Sequence, residues 1–581
     1  MFKSLRPLFP YLVRYRRNLV LGALCVLATN GIYVQFALVL GRALDDLGRA
    51  NPFHRLSFYA LLLIAIAAGK GIFQFLTRWI VIGVSRDIEF DLRNDLFHHL
   101  ESLPYSYYQK TRTGDIMARA TNDLNAVRMM MGPAIMYSAN TIVFTAGALV
   151  YMWHISRTLT LWAFLPLPIV SILLQYFGSR IHERFERIQA MFSEISARTQ
   201  ENYSGARIVR AFSQEEAEIG LFENANQEYI SRSLKLVRLM GMLFPTLEVM
   251  LGLAVVLVLW LGGREVIGGR MSAGVFWSFN TYMVQLTWPI IAVGWVINIF
   301  QRGTASMGRI NEILTVKSDI VDLPEAAKLA GTPIVGDLEI RDLNFSYNGI
   351  PVLHDVNLKV PAGTSLAIVG PTGSGKTTLV NLIPRIYDAP VGSILLDGRP
   401  LQQYPIANLR RSIGFVPQET FLFSDTVREN IAFGVEETND IAIHEAAAGA
   451  SIAKDIEAFP EQYTTMVGER GITLSGGQKQ RSAIARALIR DPKILVLDDA
   501  LSSVDTYTEE KILEHLREVM KGRTTIFISH RVSTVRAADQ IAVLHDGRIV
   551  ELGRHEELLD KNGYYADLYN KQLLEEELET V

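Results

Sequence analysis

The chain is almost without cysteine and has no excess of charge of either sign. Cys25 is the only cysteine in 581 residues, so an internal disulfide is excluded. The 57 basic and 60 acidic side chains give a formal net charge of −3, and no run of basic residues occurs. We therefore expect no nucleic-acid partner. An internal repeat and a low-complexity tract are also lacking, and the length predicts two or more domains.

The N-terminus lacks the pattern of a cleavable signal peptide. Its first apolar run, residues 19–41, is too long for one and has no clear small-residue cleavage site. Several basic residues precede this run: Lys3, Arg6, Arg14, Arg16 and Arg17. Because basic residues favour the cytoplasmic side of a membrane, we expect this end to be cytoplasmic.

Long apolar runs dominate the first half of the chain. Six of them approach the roughly 20 residues that cross a bilayer. They lie at about 19–41, 57–84, 133–154, 158–178, 241–263 and 271–301. The second contains Lys70 and Arg78 and the fifth contains Glu248, which makes these two weaker examples. The pattern predicts an all-α, six-helix transmembrane domain over residues 1–302, with a cytoplasmic C-terminus.

The remaining sequence changes character. Residues 303–335 are a mixed connector, and from 336 to 575 short apolar strands alternate with amphipathic helices, as in an α/β domain. Within it, Gly370-Pro-Thr-Gly-Ser-Gly-Lys-Thr377 follows the apolar strand 365–369 and precedes a helix. This is the context that a phosphate-binding loop requires. Its expected ligand-binding residues are Gly370, Thr372, Gly373, Ser374, Gly375, Lys376, Thr377 and Thr378.

Each part of this loop has a chemical reason. Glycines let backbone N–H groups surround phosphates at a helix start, where the helix dipole favours negative charge. We expect Lys376 to reach the outer phosphates and the Thr377 hydroxyl to bind Mg²⁺. A second apolar strand, 494–497, leads into Asp498, which we expect to hold the same metal. ATP and Mg²⁺ are thus the predicted cofactors.

Two other features stand near these motifs. Leu474-Ser-Gly-Gly-Gln478 opens a helical stretch, and its free N–H groups make a second anion-binding end. His530 follows the apolar strand 525–529, a position from which it can face a phosphate. Taken alone, such a histidine is more often structural.

Together these residues resemble the ATP-binding cassette (ABC) family over essentially the whole chain, and the 474–478 motif is that family's own signature. Six spans ahead of one cassette resemble a type I ABC exporter half-transporter, closest to one half of the heterodimeric multidrug exporters. Tyr347 looks like the aromatic that stacks on adenine. Gln418 resembles the glutamine that contacts Mg²⁺ and water, and Asp505 belongs to a segment similar to the D-loop. His530 matches the switch histidine.

The resemblance gives Asp499 its meaning. In this family a Glu usually follows the strand's Asp and positions the attacking water, and two cassettes close head to tail on two ATP molecules. An Asp is one methylene short, and a misplacement of about 1 Å can cost on the order of a hundredfold in rate. We expect a weak site here, with Ser475, Gly476, Gly477 and Gln478 completing the site of a partner that carries Glu. The alternative is a homodimer in which Asp499 works through a repositioned water.

The transported substrate is the feature that the sequence defines least. Export of lipophilic small molecules from a bacterial inner membrane is the leading expectation, with a lipid flippase or peptide exporter as rivals. An ATP-gated channel or a regulatory subunit is an alternative of another class. Ionisable groups inside spans are functional candidates, so Glu248 is a candidate contact for cationic substrates. Intramembrane amides more often join helices: Asn30, Gln35, Asn140, Gln175, Asn280, Gln285 and Asn298.

Overall fold

The computed structural model describes residues 5–47, 52–329, 331–468, 471, 474–500, 518–529 and 532–579. The chain divides into two compact units. One contains residues 1–100 and 114–315, and the other contains residues 101–113 and 316–581. The short segment 101–113 therefore groups with the C-terminal part of the chain. The domain boundaries at 302 and 336 stay a prediction from composition.

The described residues of the first part of the chain are almost all helical. In chain order, its helices are α1 (Phe9–Arg14), α2 (Arg16–Leu47), α3 (Pro52–Ser102), α4 (Tyr105–Lys110), α5 (Thr113–Ala118), α6 (Leu124–Met129), α7 (Ile135–Ile155), α8 (Arg157–Phe164), α9 (Leu167–Ser204), α10 (Ala206–Ala211), α11 (Glu215–Ile267), α12 (Ala273–Gln285) and α13 (Thr287–Leu314). Two π-helical turns, Arg119–Asp123 and Met130–Ala134, lie on either side of α6.

The expected membrane architecture is confirmed. Within the described residues, six helical stretches are long and apolar enough to cross a membrane. They are Arg16–Leu47, His54–Ser102, Thr113–Ile155, Arg157–Ser204, Glu215–Ile267 and Ala273–Leu314. The first five predicted spans lie within these stretches, and the sixth begins at 271, two residues before its helix starts at Ala273. Helices are expected there, because a lipid-embedded backbone must satisfy its own hydrogen bonds and a helix does so locally.

Small residues let two of these helices approach closely. A Cβ on Gly41 of α2 would lie 1.9 Å from the Ser278 hydroxyl oxygen of α12 and 2.4 Å from the Gly274 carbonyl oxygen. The Ser278 hydroxyl donates to the Ala37 carbonyl over 2.8 Å, and the Tyr282 hydroxyl donates to the Val34 carbonyl over 2.6 Å. Close backbones with interhelical hydrogen bonds are the packing mode that lipid favours, since burial against lipid tails supplies no hydrophobic driving force.

The second unit contains two sheets. Its strands are β1 (Leu338–Tyr347), β2 (Ile350–Val360), β3 (Ser365–Val369), β4 (Ile394–Leu396), β5 (Arg399–Pro400), β6 (Ile413–Val416), β7 (Ile494–Asp498), β8 (Thr524–Ile528), β9 (Gln540–His545) and β10 (Arg548–Gly553). The antiparallel sheet has the order β2-β1-β4-β5, and the larger sheet has the order β10-β9-β3-β8-β7-β6. Among the described strands of the larger sheet, only β10 runs antiparallel to its neighbour.

Helices cover the larger sheet on both sides. They are α14 (Lys376–Leu382), α15 (Ile406–Arg411), α16 (Val427–Ala432), α17 (Asp440–Gly449), α18 (Ala453–Glu457), α19 (Gly476–Leu488), α20 (Val532–Val535), α21 (His555–Asp560) and α22 (Tyr564–Glu579). Along β3 the side chains alternate between two hydrophobic cores, with Ala367 in one and Leu366 and Ile368 in the other. Strands buried on both faces explain the near-continuous apolar runs in the sequence.

The close approach of α2 and α12 generates a stability test. We expect Gly41→Ala to destabilise the protein by about 1–3 kcal/mol, the usual cost of overpacking a core. Gly31→Ala is the matched control in the same helix, because a Cβ at Gly31 meets nothing within 4 Å. Thermal unfolding of the purified protein should show a lower Tm for Gly41→Ala only. Equal Tm values for the two variants would contradict the tight contact.

Candidate functional site

A cavity of about 230 Å³ lies at the carboxyl ends of β3 and β7. Residues expected from three separate motifs line it together: Thr372, Gly373, Gly375, Lys376, Thr377, Thr378, Gln418, Asp498 and Asp499. They meet because β3, β8 and β7 are parallel neighbours, so their carboxyl ends share one edge of the sheet. Such an edge is where α/β proteins bind their ligands.

Backbone geometry requires glycine at two positions of the loop between β3 and α14. Gly370 has φ 148°, and a Cβ there would lie 2.0 Å from the Leu544 carbonyl oxygen. Gly375 has φ 100° and precedes the first residue of α14. Side-chain-bearing residues rarely adopt these angles. The loop thereby directs the N–H groups at the start of α14 toward the cavity.

Lys376 is held inside this loop. Its ammonium group donates to the carbonyl oxygens of Gly370 and Pro371, at 2.8 and 2.9 Å. Burial lowers the pKa of Lys376, while Asp498 and Asp499 oppose that shift. The buried Ser374 hydroxyl oxygen has no hydrogen-bond partner within the described part of the chain. The loop therefore offers a cation and a hydroxyl, both suited to phosphate oxygens.

Asp498 and Thr377 form an oxygen pair at the end of β7. The Thr377 hydroxyl lies 3.3 Å from an Asp498 carboxylate oxygen. Burial raises the pKa of Asp498 to about 6, against the opposing effect of the Thr377 hydrogen bond. Among the described residues, no group of three or more His, Cys, Asp or Glu could hold a metal by itself. One carboxylate, a hydroxyl and Gln418 fit Mg²⁺, which usually takes one or two carboxylates together with substrate phosphates.

Asp499 lies next to this pair in an unusual backbone conformation. Its φ is 49°, a left-handed angle that Asp tolerates better than most side chains. Its backbone N–H donates to the Ile528 carbonyl over 3.1 Å, which fixes the chain just after β7. The half-buried Asp499 side chain lines the cavity beside Asp498. The structure thus brings both carboxylates to the candidate site.

Tyr347 lies beside the cavity, although it is not among the lining residues. The hairpin between β1 and β2 turns at Asn348 and Gly349, whose φ angles of 49° and 86° suit a two-residue turn. This turn ends β1 at Tyr347, whose hydroxyl lies 3.4 Å from the Thr378 hydroxyl oxygen. A single hydrogen bond therefore links Tyr347 to Thr378, which lines the cavity.

The signature residues lie at the start of α19 and do not line this cavity. The Ser475 hydroxyl oxygen accepts from the Gln478 N–H at 3.3 Å, and the Gln478 side-chain oxygen accepts from the Ser475 N–H at 3.0 Å. This reciprocal pair is a capping box. Ser475 and Gly476 are exposed, and Gly477 follows them in the first turn. His530 and Asp505 lie outside the described residues.

Two cavity residues were missed by sequence reasoning. Val352 of β2 and Ile528 of β8 also line the cavity. Both are ordinary strand residues. Whether their side chains point toward the cavity depends on the register of the strands in the sheet. No local sequence signal distinguishes them from the other apolar strand residues.

The polar residues of the membrane helices have different surroundings. The Asn30 amide donates to the Asn140 side-chain oxygen over 2.8 Å, and the Gln35 amide donates to the Tyr151 hydroxyl over 3.1 Å. These contacts join helices, as expected for intramembrane amides. Glu248 is exposed on α11, and among the described residues no hydrogen bond or ion pair involves it. Its contact with cationic substrates stays a prediction.

Comparisons with known proteins agree with this geometry. A family model described as "ABC transporter transmembrane region" matches residues 19–290, and one described as "ABC transporter" matches residues 353–502. A probable multidrug resistance ABC transporter ATP-binding/permease protein, YheI of Bacillus subtilis, is 37% identical over 579 residues, covering 99% of this chain and 98% of that protein. An ATP-dependent lipid A-core flippase of Syntrophus aciditrophicus is 37% identical over 556 residues, covering 95% and 92%.

A solved structure is also similar to this chain over nearly its whole length. A bacterial Atm1-family ABC exporter with ATP bound superposes with a TM-score of 0.78 at 29% identity. The match covers 96% of this chain and 98% of that one.

The Lys376 geometry generates a binding test. We expect Lys376→Ala to lower labelling of the chain by a photoreactive ATP analogue at least about tenfold, since loss of a partner of a buried charge typically costs 2–5 kcal/mol. Lys359→Ala is the control, because Lys359 is an exposed lysine of β2 in the same unit. Undiminished labelling of Lys376→Ala would exclude the loop as the nucleotide site.

Proposed function

The chain belongs to the ATP-binding cassette (ABC) transporter family, and on that premise we propose that it exports lipophilic small molecules across a bacterial inner membrane. It is an exporter-type half-transporter, a multi-pass membrane protein whose cassette binds ATP and couples hydrolysis to transport. The proposed mechanism is alternating access. Closure of two cassettes on ATP turns the membrane cavity outward, and hydrolysis resets it. ATP drives this change only through its different affinity for the two states.

The proposed nucleotide site uses the cavity residues in distinct roles. Lys376 and the glycine-rich loop hold the phosphates, while Thr377, Asp498 and Gln418 hold Mg²⁺. Tyr347 stacks on the adenine. His530 and Asp505 have the switch and inter-subunit roles that the family resemblance implies.

The proposal that this chain is the less active half of a heterodimer rests on Asp499. Its carboxylate is at the cavity, one methylene shorter than the Glu usual in the family. That shortening supports a site that holds ATP and hydrolyses it slowly. The signature residues support a role in the partner's site, because they lie at an exposed helix start and do not line the chain's own cavity. There they would complete the site of a partner that carries Glu.

A homodimeric lipid flippase is the second candidate. The 37% identity to a lipid A-core flippase favours it as strongly as the identity to YheI favours multidrug export. In that case the lone chain would form the complete ATPase, and Asp499 would act through a repositioned water.

ATPase assays of the purified chain, alone and with a co-encoded half-transporter, separate these candidates. We expect low turnover from the lone chain. In the complex, Asp499→Glu should raise turnover or leave it unchanged, while replacing the partner's glutamate should nearly stop it. Robust activity of the lone chain that Asp499→Ala abolishes would refute the heterodimer and favour the homodimer. ATP-dependent uptake against a gradient into inverted vesicles excludes a gated channel.

Substrate charge is tested at Glu248. We expect Glu248→Gln to reduce transport of cationic dyes and to spare neutral ones, because it removes a negative charge from the membrane region while keeping the side chain's size. Glu265→Gln is the matched control in the same helix, since Glu265 is already ion-paired with Arg270 at 2.8 Å. Equal transport of both dye classes by Glu248→Gln and the unaltered protein would remove Glu248 from the substrate path.

A further inference from the structure

Three tyrosines from separate stretches of the second unit contact one another in a row. The ring centroid of Tyr387 lies 5.0 Å from that of Tyr347 and 6.1 Å from that of Tyr105. The interplanar angles are 76° and 78°, so both contacts are edge-to-face, an arrangement that aromatic quadrupoles favour. We refer to Tyr347, Tyr387 and Tyr105 as the tyrosine chain.

The two ends of the tyrosine chain lie in different functional regions. Tyr347 contacts Thr378, which lines the nucleotide cavity. Tyr105 begins α4, within the segment 101–113 that connects two membrane helices in sequence and groups with the second unit. Tyr105 is 54% exposed, so few other contacts fix its ring. The chain therefore joins the cavity to a segment with limited packing of its own.

The middle of the tyrosine chain is held firmly. Tyr387 is 9% exposed and belongs to the hydrophobic core beneath the larger sheet. Nearby, the buried Arg385 pairs with Asp388 through two bonds, Nε to Oδ1 at 2.7 Å and Nη2 to Oδ2 at 2.8 Å. Bidentate pairs of this kind fix geometry as well as add energy. The Tyr387 ring is thus a fixed surface between two rings that are less buried than itself.

We propose that Tyr387 is a positioning residue that makes the order of segment 101–113 depend on an adenine base at Tyr347. The proposal rests on the proposed function, in which Tyr347 stacks on adenine. A base that fixes the Tyr347 ring favours its edge contact with Tyr387 and, through it, the contact with Tyr105. Linkage requires the reverse effect as well, so ordering of the segment favours the base equally. Phosphates alone bind the glycine-rich loop and add no stacking contact to the Tyr347 ring, which otherwise packs edge-to-face on Phe345 with ring centroids 5.0 Å apart.

Hydrogen exchange of the full chain in lipid nanodiscs tests this dependence. Two probes are compared: a non-hydrolysable ATP analogue with Mg²⁺, and inorganic tripolyphosphate with Mg²⁺. Both should slow exchange in 370–378. Only the adenine nucleotide should slow exchange in 101–113, by about two- to tenfold, the effect of one aromatic pair on an opening equilibrium.

Substitutions separate positioning from general stability. Tyr387→Leu should abolish the nucleotide effect on 101–113 and preserve the effect on 370–378. Tyr387→Phe keeps the ring and removes the hydroxyl that hydrogen-bonds Gln109 of the segment; both effects should remain, and loss of the effect on 101–113 would assign it to that hydrogen bond instead of to the rings. Tyr404→Leu is the control, because Tyr404 is another buried tyrosine of the same core. In the described contacts its hydroxyl bonds only to the Leu396 carbonyl. If Tyr387→Leu does not fold, Tyr105→Ala removes the exposed end of the tyrosine chain with the same expected result.

The outcomes distinguish this proposal from the one it rests on. Slowed exchange of 101–113 by nucleotide in Tyr387→Leu, or equal slowing by tripolyphosphate, would overturn the positioning role and leave the nucleotide site intact. Unchanged exchange of 370–378 with both probes would overturn the nucleotide site, and the positioning role with it.

Discussion

Parallel pairing of β3, β8 and β7 is the constraint on which the second unit depends. It places the loop after β3 and the two carboxylates after β7 at one edge, although more than a hundred residues of sequence separate them. Because both faces of these strands are buried, a register slip would exchange the two hydrophobic cores as well as misplace the site. Stability of the fold and geometry of the site are therefore set by the same hydrogen bonds.

The membrane unit is governed by a different constraint. Lipid does not drive its helices together, so contacts such as Gly41 against Gly274 and the Asn30–Asn140 hydrogen bond determine which helices are neighbours. In sequence the glycines look unremarkable, whereas an asparagine in an apolar run already suggests a contact between helices. In the structure they are the points at which spans meet.

Local pattern was sufficient for the elements and for most of the candidate site. The six apolar runs, the glycine-rich loop before α14 and the Asp after β7 each depend on neighbours in sequence, and the structure brings the loop and both carboxylates together. Val352, Ile528 and Tyr387 were not predictable, because their roles depend on sheet register and on contacts between distant stretches. The same reason applies to Tyr105, whose position on the second unit has no signal in its own helix. The left-handed backbone angle at Asp499 was not predictable either, because the identity of a side chain does not determine the conformation of its backbone.

The capping box at Ser475 and Gln478 has a consequence for association. Reciprocal hydrogen bonds already order the first turn of α19, and the exposed surface there is a rigid one. A rigid surface loses little conformational entropy when another molecule covers it, so less of the interaction energy is consumed by ordering. A helix start of this kind is preorganised, so a molecule that covers it has little further ordering to impose.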